Sequence, residues 1–465
     1  MTDRDPLALA REALGGMPAW LVGGALRDRL LGRPTDDLDV VVDGPVKEAA
    51  RALGRLARAA AFPLSDAFGV WRVVAHDHAW QVDLLPVNGP SIEEDLAARD
   101  FTVNAIAEPL DGGEPIDPFG GREDLAAGRL RMVGAQAFAA DPLRVLRAAR
   151  LACELHLEPD PETRAAAAAH AQALGRVAPE RVFAELKRIV GARSALRGLH
   201  EMDRIGATRV VLPELDALRG VQQSAYHHLD VYEHTLAVLE QAIAIERDPE
   251  PAFGPLAEDV ARLLSEPLAD ELDRARALRF GALLHDAAKP ATRAVTAEGR
   301  VTFIGHDREG AELARAVLGR LRASVRLRAH VAALTRNHLR LGFLVHHVPL
   351  DRRAIYGYLM ACDPVAADVT ILSVADRLAT RGRKAEEAIT RHIVLARELL
   401  AEALRWRTER PRPLLRGDDL VAELGIDAGP EVGRLLSQLA EAQFAGDVIT
   451  RDEALEFARR LARCS

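Results

Sequence analysis

LVGGALRDRLLGRPTDDLDVVV, residues 21–42, is the stretch on which both fold and chemistry turn. An apolar run ending at Val22 meets Gly23 and Gly24, so a strand can turn there and bring backbone N–H groups close to a phosphate. Arg27 follows one helical turn later and can supply countercharge. After a break at Gly32 to Thr35, Asp37 and Asp39 flank Leu38 in an extended segment, where side chains two apart share a face. Two carboxylates on one face suit hard divalent cations, which take carboxylates together with phosphate oxygens. Each piece alone is weak, because a lone Gly-Gly is usually a turn and a lone Asp-x-Asp usually a solvated strand end.

In this order and spacing the pieces resemble the catalytic signature of the tRNA nucleotidyltransferase and bacterial poly(A) polymerase family, within the polymerase-beta-like transferases. The resemblance implies that Asp37 and Asp39 are Mg2+ ligands and that Gly23, Gly24 and Arg27 hold a triphosphate. It also implies an α+β fold: a small mixed-sheet nucleotidyltransferase head, then a mainly helical neck, an HD domain and a C-terminal helical module.

Composition sets bounds on that expectation. A chain of 465 residues is too long for one core, and 49% hydrophobic residues with only 4% aromatics predict mostly helical packing by aliphatic side chains. A formal net charge of −8 excludes a protein coated in positive charge, so nucleic acid would have to meet a local basic surface. Cys153, Cys362 and Cys464 show no metal or disulfide spacing. The N-terminus lacks a signal-like pattern and no apolar run is long enough to span a bilayer, so the expectation is a cytoplasmic protein without a membrane segment.

Residues 1–135 read as the head. Helices are predicted at 6–15 and 45–61, and strands at 69–75 and 79–87 joined by a turn at His76 to His78. Asp83 lies inside the second of these strands, flanked by Val82 and Leu84. An acid there is costly unless paired or metal-bound, so it is the candidate third carboxylate, against an edge-strand aspartate facing water. DLAARDFTVNAIA, 95–107, resembles the family's RRDFTxNA motif, which implies nucleotide and ribose contacts for Arg99 and Asp100, with Asn104 in the same motif. The motif's first arginine is Ala98 here. On the residues alone, Arg99 and Asp100 are a local ion pair at a helix start.

Residues 136–220 read as the neck. In ADPLRVLRAARLA, Asp141 precedes Pro142 as an N-cap, and Arg144 stands three residues on, where the two can meet. The family's EDxxR motif falls at this point, implying that Asp141 and Arg144 read the base edge of CTP or ATP without a template. Its glutamate is Ala140 here. Arg147 joins the nucleotide-binding set, and Arg147 and Arg150 extend a basic edge towards a phosphate path. An alanine-rich helix at 162–174 and APERVFAELKRIV at 178–190 complete the neck.

Residues 221–382 carry a second constellation, from HHLDVYEHTL at 227 through GALLHDAAKP, GHDREGAELA and LTRNHLRLG to ILSVADRLATRG. Its order resembles the HD superfamily of metal-dependent phosphohydrolases. That resemblance implies His234, His285, Asp286 and Asp376 as ligands of a divalent transition metal, His306 and His338 at a second metal or phosphate, and Lys289 near phosphate. Residues 246–274 open Pro/Glu/Asp-rich and read as an exposed insertion. Residues 383–465 read as a C-terminal RNA-binding module, within which Arg405, Arg407, Arg410, Arg412 and Arg416 interrupt a proline-containing linker as a basic surface, with Asp418 and Asp419 capping a helix.

The whole set implies attack by the tRNA 3′-hydroxyl on the α-phosphate of CTP or ATP. The basic, aromatic segment of poly(A) polymerases is not found. Full CCA-adding relatives usually have a flexible segment before the RD motif, and LLPVNGPSIEEDLAARD leaves little room for one, which favours CC addition over full CCA addition. Two other readings remain at this point: an HD phosphohydrolase with an inactive transferase head, and a noncatalytic RNA-binding protein.

Overall fold

The computed structural model describes residues 5–66, 68–223, 229–380 and 385–463. Its contacts divide the chain into two units, Met1–Val211 and Leu212–Ser465. The first unit is built on a six-stranded sheet: β1 (Ala19–Val22), β2 (Asp37–Val42), β3 (Ala60–Ser65), β4 (Val70–Val74), β5 (Gln81–Pro86) and β6 (Ala107–Pro109). They lie in the order β3-β4-β5-β2-β1-β6, with β2 and β5 parallel and every other pair antiparallel.

Period-two alternation gives this sheet two unlike faces. Leu21, Val40, Val42, Val73, Val82 and Leu84 enter one core with α1 (Pro6–Ala13), α2 (Gly23–Leu30) and α3 (Val46–Ala57). Val22, Val41 and Ala107 point the other way, under α4 (Ile92–Ala97), through Ile92 and Leu96. Each such buried side chain contributes roughly 1.5–3 kcal/mol, which fixes the register of every strand against a one-residue slip. The predicted helix at 45–61 stops at Ala57, where Arg58 takes φ 51°, and the chain then enters β3, a strand the sequence reading did not contain.

Helices continue the unit: α5 (Gly121–Ala126), α6 (Ala137–Ala140), α7 (Arg144–Glu154), α8 (Pro161–His170), α9 (Pro179–Gly191) and α10 (Ala195–Arg204). Proline opens α8 and α9, and Asp160 caps α8 by accepting from Thr163 N at 2.7 Å.

The second unit is helical. Val231–Arg247, Arg274–Leu284, Val325–Asn337 and Ala366–Ala379 pack on one another. A separate apolar cluster around Leu420, Leu435 and Ala454 forms the core of the C-terminal helices. The expected exposed insertion at 246–274 is instead folded in: helices Glu250–Phe253 and Ala257–Leu264 bury Phe253, Val260 and Leu263. Arg405 and Arg407 lie on the long helix Ala385–Thr408 and pair with Glu402 and Glu266, so they do not stand free in a basic linker. Asp419 does act as a cap, accepting from Arg416 N at 2.7 Å. Cys153 and Cys362 are buried and free, while Cys464, His227 and His228 lie outside the described residues. Among the described residues no single helix is long and apolar enough to cross a membrane.

Candidate functional site

The chain leaves β1 at Val22 and turns at Gly23, whose φ of +67° L side chains rarely adopt. A Cβ at Gly23 would sit 3.1 Å from Asp39 Oδ2 and 3.2 Å from Arg99 Nη1, so the absent side chain lets both groups close over the turn. At Gly24 a Cβ would meet only Arg27 Nη2, at an ordinary 3.5 Å. Val22 pairs with Asp39, and Asp39 with Asp83, placing Asp39 and Asp83 side by side on the α4 face while Asp37 begins β2 at its exposed end. Burial first, and then the charge of Asp37, push Asp39 up to about 6. That penalty on the ionised form is what a bound cation would relieve, so the residues fit the expected ion.

Asp83 is paired: its two oxygens accept from Arg72 Nε and Nη2, both at 2.7 Å. Its carboxylate therefore faces β4 and does not converge with Asp37 and Asp39 on one point. Every other head and neck residue singled out in the sequence lines one cleft of about 550 Å³. Arg27 is buried there, donating to Asn104 Oδ1 at 2.7 Å and to Asp28 Oδ1. Arg99 reaches back one turn to Asp95 Oδ2 at 2.9 Å, so the expected Arg99–Asp100 ion pair does not form. Asp100 is buried and saturated, accepting from Phe101 N, Asn104 Nδ2 and Arg147 Nε. Burial opposes its charge, but Arg147 and these donors hold it below the ordinary carboxylate range.

Two further expectations are corrected. The side chains of Asp141 and Arg144 do not pair, although Arg144 N donates to Asp141 O at 3.0 Å: the Asp141 carboxylate accepts from Leu143 N at 3.1 Å and from Arg181 Nη2 at 2.7 Å. Arg144 donates instead to the carbonyls of Ala98, Arg99 and Ala137, at 2.7, 3.1 and 3.2 Å. Arg150 lines the same cleft but is buried and paired with Glu185 (2.6 Å) and Glu154 (2.9 Å). The helix proper begins at Arg144, after a tight turn capped by Asp141. The sequence reading missed Arg181 and Arg188, which line the cleft from α9. Their spacing of seven, one helical face, was the available signal.

In the second unit the six HD residues come from five separate segments and close on one buried centre. Their ligand atoms fall into two sets: His234, His285 and Asp376, and Asp286, His306 and His338, each within 4.8 Å. This regroups the expected ligands, for Asp286 sits with the second pair while its Oδ2 remains 3.1 Å from His285 Nε2. His285, His306 and His338 engage backbone carbonyls through Nδ1, at 2.8, 2.6 and 2.6 Å, which turns Nε2 inward. Burial, then His285, push His338 down to about 4, which keeps it a neutral ligand. His285 Nε2 and both Asp286 oxygens are buried without a well-directed hydrogen bond, which is what a metal set lacking its ion presents. Lys289 Nζ stands 2.6 Å from Asp286 and 2.7 Å from Gln223 Oε1.

Fold and site together describe a nucleotidyltransferase head carried on a helical body, and comparison with known proteins places it further. Residues 19–131 match the model of the poly A polymerase head domain, 156–219 the probable RNA and SrmB-binding site of polymerase A, and 231–381 the HD domain. The chain is 38% identical to the A-adding tRNA nucleotidyltransferase of Deinococcus radiodurans, covering 96% of this chain and 95% of that one. It is 37% identical to the CC-adding tRNA nucleotidyltransferase of Thermus thermophilus, over 94% and 92%. A CCA-adding enzyme of Thermotoga maritima, solved in complex with tRNA, shares the fold with a TM-score of 0.62 at 21% identity, over 100% and 97%. The chain belongs to the tRNA nucleotidyltransferase family.

Proposed function

We propose that this enzyme adds C residues to the 3′ end of tRNA from CTP and stops before the terminal A. The observation that carries this reading is the order of the whole segment between Asp83 and Arg99. β5 runs to Pro86, Val87 N bonds Val42 O, Asn88 N bonds Asp95 Oδ1, and Ser91 caps α4. No residue of that segment is spare for the longer flexible piece that full CCA-adding relatives usually carry.

In this reading Asp37 and Asp39 would hold Mg2+, while Asp83, beside Asp39 but turned to Arg72, adds a third negative charge next to the site and is no direct ligand in this arrangement. When bound, the ions make the 3′-hydroxyl a better nucleophile and stabilise the leaving pyrophosphate. The chain's own part is placement. The Gly23 turn offers N–H groups at the start of α2, Arg27 and Arg99 supply positive charge, and Asp100 and Asn104 lock Arg27 and Arg147 around the cleft. Asp141 and Arg144 read the base: an ionised carboxylate only accepts, which favours the amino edge of cytosine over the carbonyl of uracil. The HD residues hold two divalent transition-metal ions, with Asp286 facing both sets. Residues 1–135, 136–220, 221–382 and 383–465 act as head, neck, HD domain and RNA-binding module in the cytoplasm.

Purified protein is incubated with tRNA lacking its 3′ end, and separately with tRNA ending in CC, with CTP, ATP or both, and the ends are sequenced. CC on the first RNA and no A on either is expected. Efficient A addition to the second refutes the reading.

A further inference from the structure

The register of the sheet continues the row of the aspartates outward. Asp39 pairs with Asp83, Asp83 with Arg72, and Arg72 with Phe62, so one face carries carboxylate, carboxylate, guanidinium and aromatic ring in sequence from β2 to the edge strand β3. Phe62 is 42% exposed on that face, although it is a large apolar side chain. Arg72 spends Nε and Nη2 on Asp83 and keeps the remaining N–H donors of its guanidinium. At about 4.8 Å per strand, the row reaches about 14 Å from Asp39, on the scale of two extended nucleotides.

The reaction decides what this row faces. Attacking and leaving oxygens lie roughly in line across the α-phosphate. The Gly23 turn and Arg27 lie on the β1 side of Asp39, so pyrophosphate leaves towards β1 and α2. The incoming hydroxyl then arrives from the other side, where the sheet continues through β5, β4 and β3. Asp83 and Arg72 stand outside the nucleotide cleft, as this division requires.

We propose that the Phe62–Arg72 row is the seat of the RNA 3′ end: Arg72 meets the last phosphodiester, and Phe62 stacks on a base of the final two nucleotides. The proposal rests on the head aspartates being the transfer centre, as in the proposed function, but not on which nucleotide is added. Arg72 is a positioning residue, acting on both the RNA and Asp83.

The test uses the full-length enzyme and an acceptor-stem minihelix lacking its 3′ end. Phe62→Ala is expected to raise the Kd and KM for this RNA about tenfold, as loss of one base–aromatic stack does, with Phe62→Trp restoring both and the KM for the nucleotide unmoved. Replacing the last phosphodiester with an uncharged methylphosphonate is expected to cost the wild type about tenfold, the loss of a charge-assisted contact, and to cost Arg72→Gln nothing further. Unchanged RNA binding in Phe62→Ala, or equal methylphosphonate penalties in wild type and Arg72→Gln, overturns the proposal. Both readouts are ratios within one RNA series, so an enzyme that added A instead of C would sink the CC reading and leave this one standing.

Discussion

Gly23→Ala puts the architecture of the head under direct test. The residue holds φ +67°, and an alanine in that left-handed region costs about 1–2 kcal/mol. The new methyl also lands 3.1 Å from Asp39 Oδ2 and 3.2 Å from Arg99 Nη1, inside the roughly 3.5 Å at which such atoms rest comfortably. Neither neighbour is idle: Asp39 is a strand residue of the site, and Arg99 is tethered to Asp95. Relief must therefore move one of the groups on which ion and triphosphate placement depends. Misplacement of about 1 Å costs on the order of a hundredfold, so a shift of several tenths is expected to slow single-turnover CMP incorporation about ten- to a hundredfold at saturating CTP and Mg2+. Gly24→Ala is the internal control for stability, since its Cβ meets only Arg27 Nη2 at 3.5 Å. It should unfold within about 0.5 kcal/mol of wild type and act on the KM for CTP. Denaturant unfolding followed by the fluorescence of Trp20, Trp71 and Trp80, all in the head, gives the stability arm. Gly23→Ala with wild-type rate and midpoint would falsify the account of the turn.

Further outcomes follow from the same network. Asp39 is raised from 3.8 to about 6 by burial and by Asp37. A raised carboxylate disfavours the ionised form in the folded state, so the metal-free head loses stability as pH climbs from about 4 past 6, while ion binding strengthens over that window. The Mg2+ concentration giving half-maximal rate should thus rise about tenfold per unit as pH falls below 6; a flat profile from pH 5 to 7 rejects this. Glu185→Ala leaves the buried Arg150 with Glu154 as its remaining carboxylate and should destabilise the first unit by about 1.5–3 kcal/mol in denaturant melts, and a loss under about 0.5 kcal/mol would show that the pair is relaxed in solution. Asp286→Asn, whose side chain faces both HD sets, should lower bound metal at both, whereas His234→Ala lowers it at one. Elemental analysis showing full occupancy in Asp286→Asn removes the bridging role.

Local signals in the chain reached as far as local physics does. The glycine turn, the paired aspartates of β2 and the Asp83 strand announced themselves through spacing and alternation within short windows, whereas the HD residues, spread over five segments from 234 to 376, were legible only through a resemblance in their order. β3 gave no such signal: AAFPLS is exposed along most of its length and contains Pro63, so neither alternation nor strand propensity marks it. Side-chain partners across the fold were equally silent. Arg144 bonds a carbonyl 46 residues away and Asp141 an arginine 40 away, distances set by packing of α7 and α9. A helix-start pair at a spacing of three was the only local guess available, and long-range partners displaced it.

Those partners also account for the two positions where the chain departs from its family's motifs. The family's RRD and EDxxR patterns would place an arginine at 98 and a glutamate at 140, and alanine stands at both. Position 140 ends α6 and Arg144 begins α7, with the extended Asp141 between them. With alanine at 140, the Arg144 guanidinium is held by backbone acceptors, the carbonyls of Ala98, Arg99 and Ala137. A carbonyl cannot change charge, so this clamp joins the Arg144 side chain at the start of α7 to acceptors of the RD segment that do not titrate. Asp141, relieved of Arg144, is held by Arg181 from α9. Asp141 and Arg144 are thus held by acceptors and donors that the motif does not contain, which is why Arg144→Lys, with one ammonium in place of a planar fork, should loosen the join between α7 and the segment at Ala98 and Arg99 even though it keeps the charge.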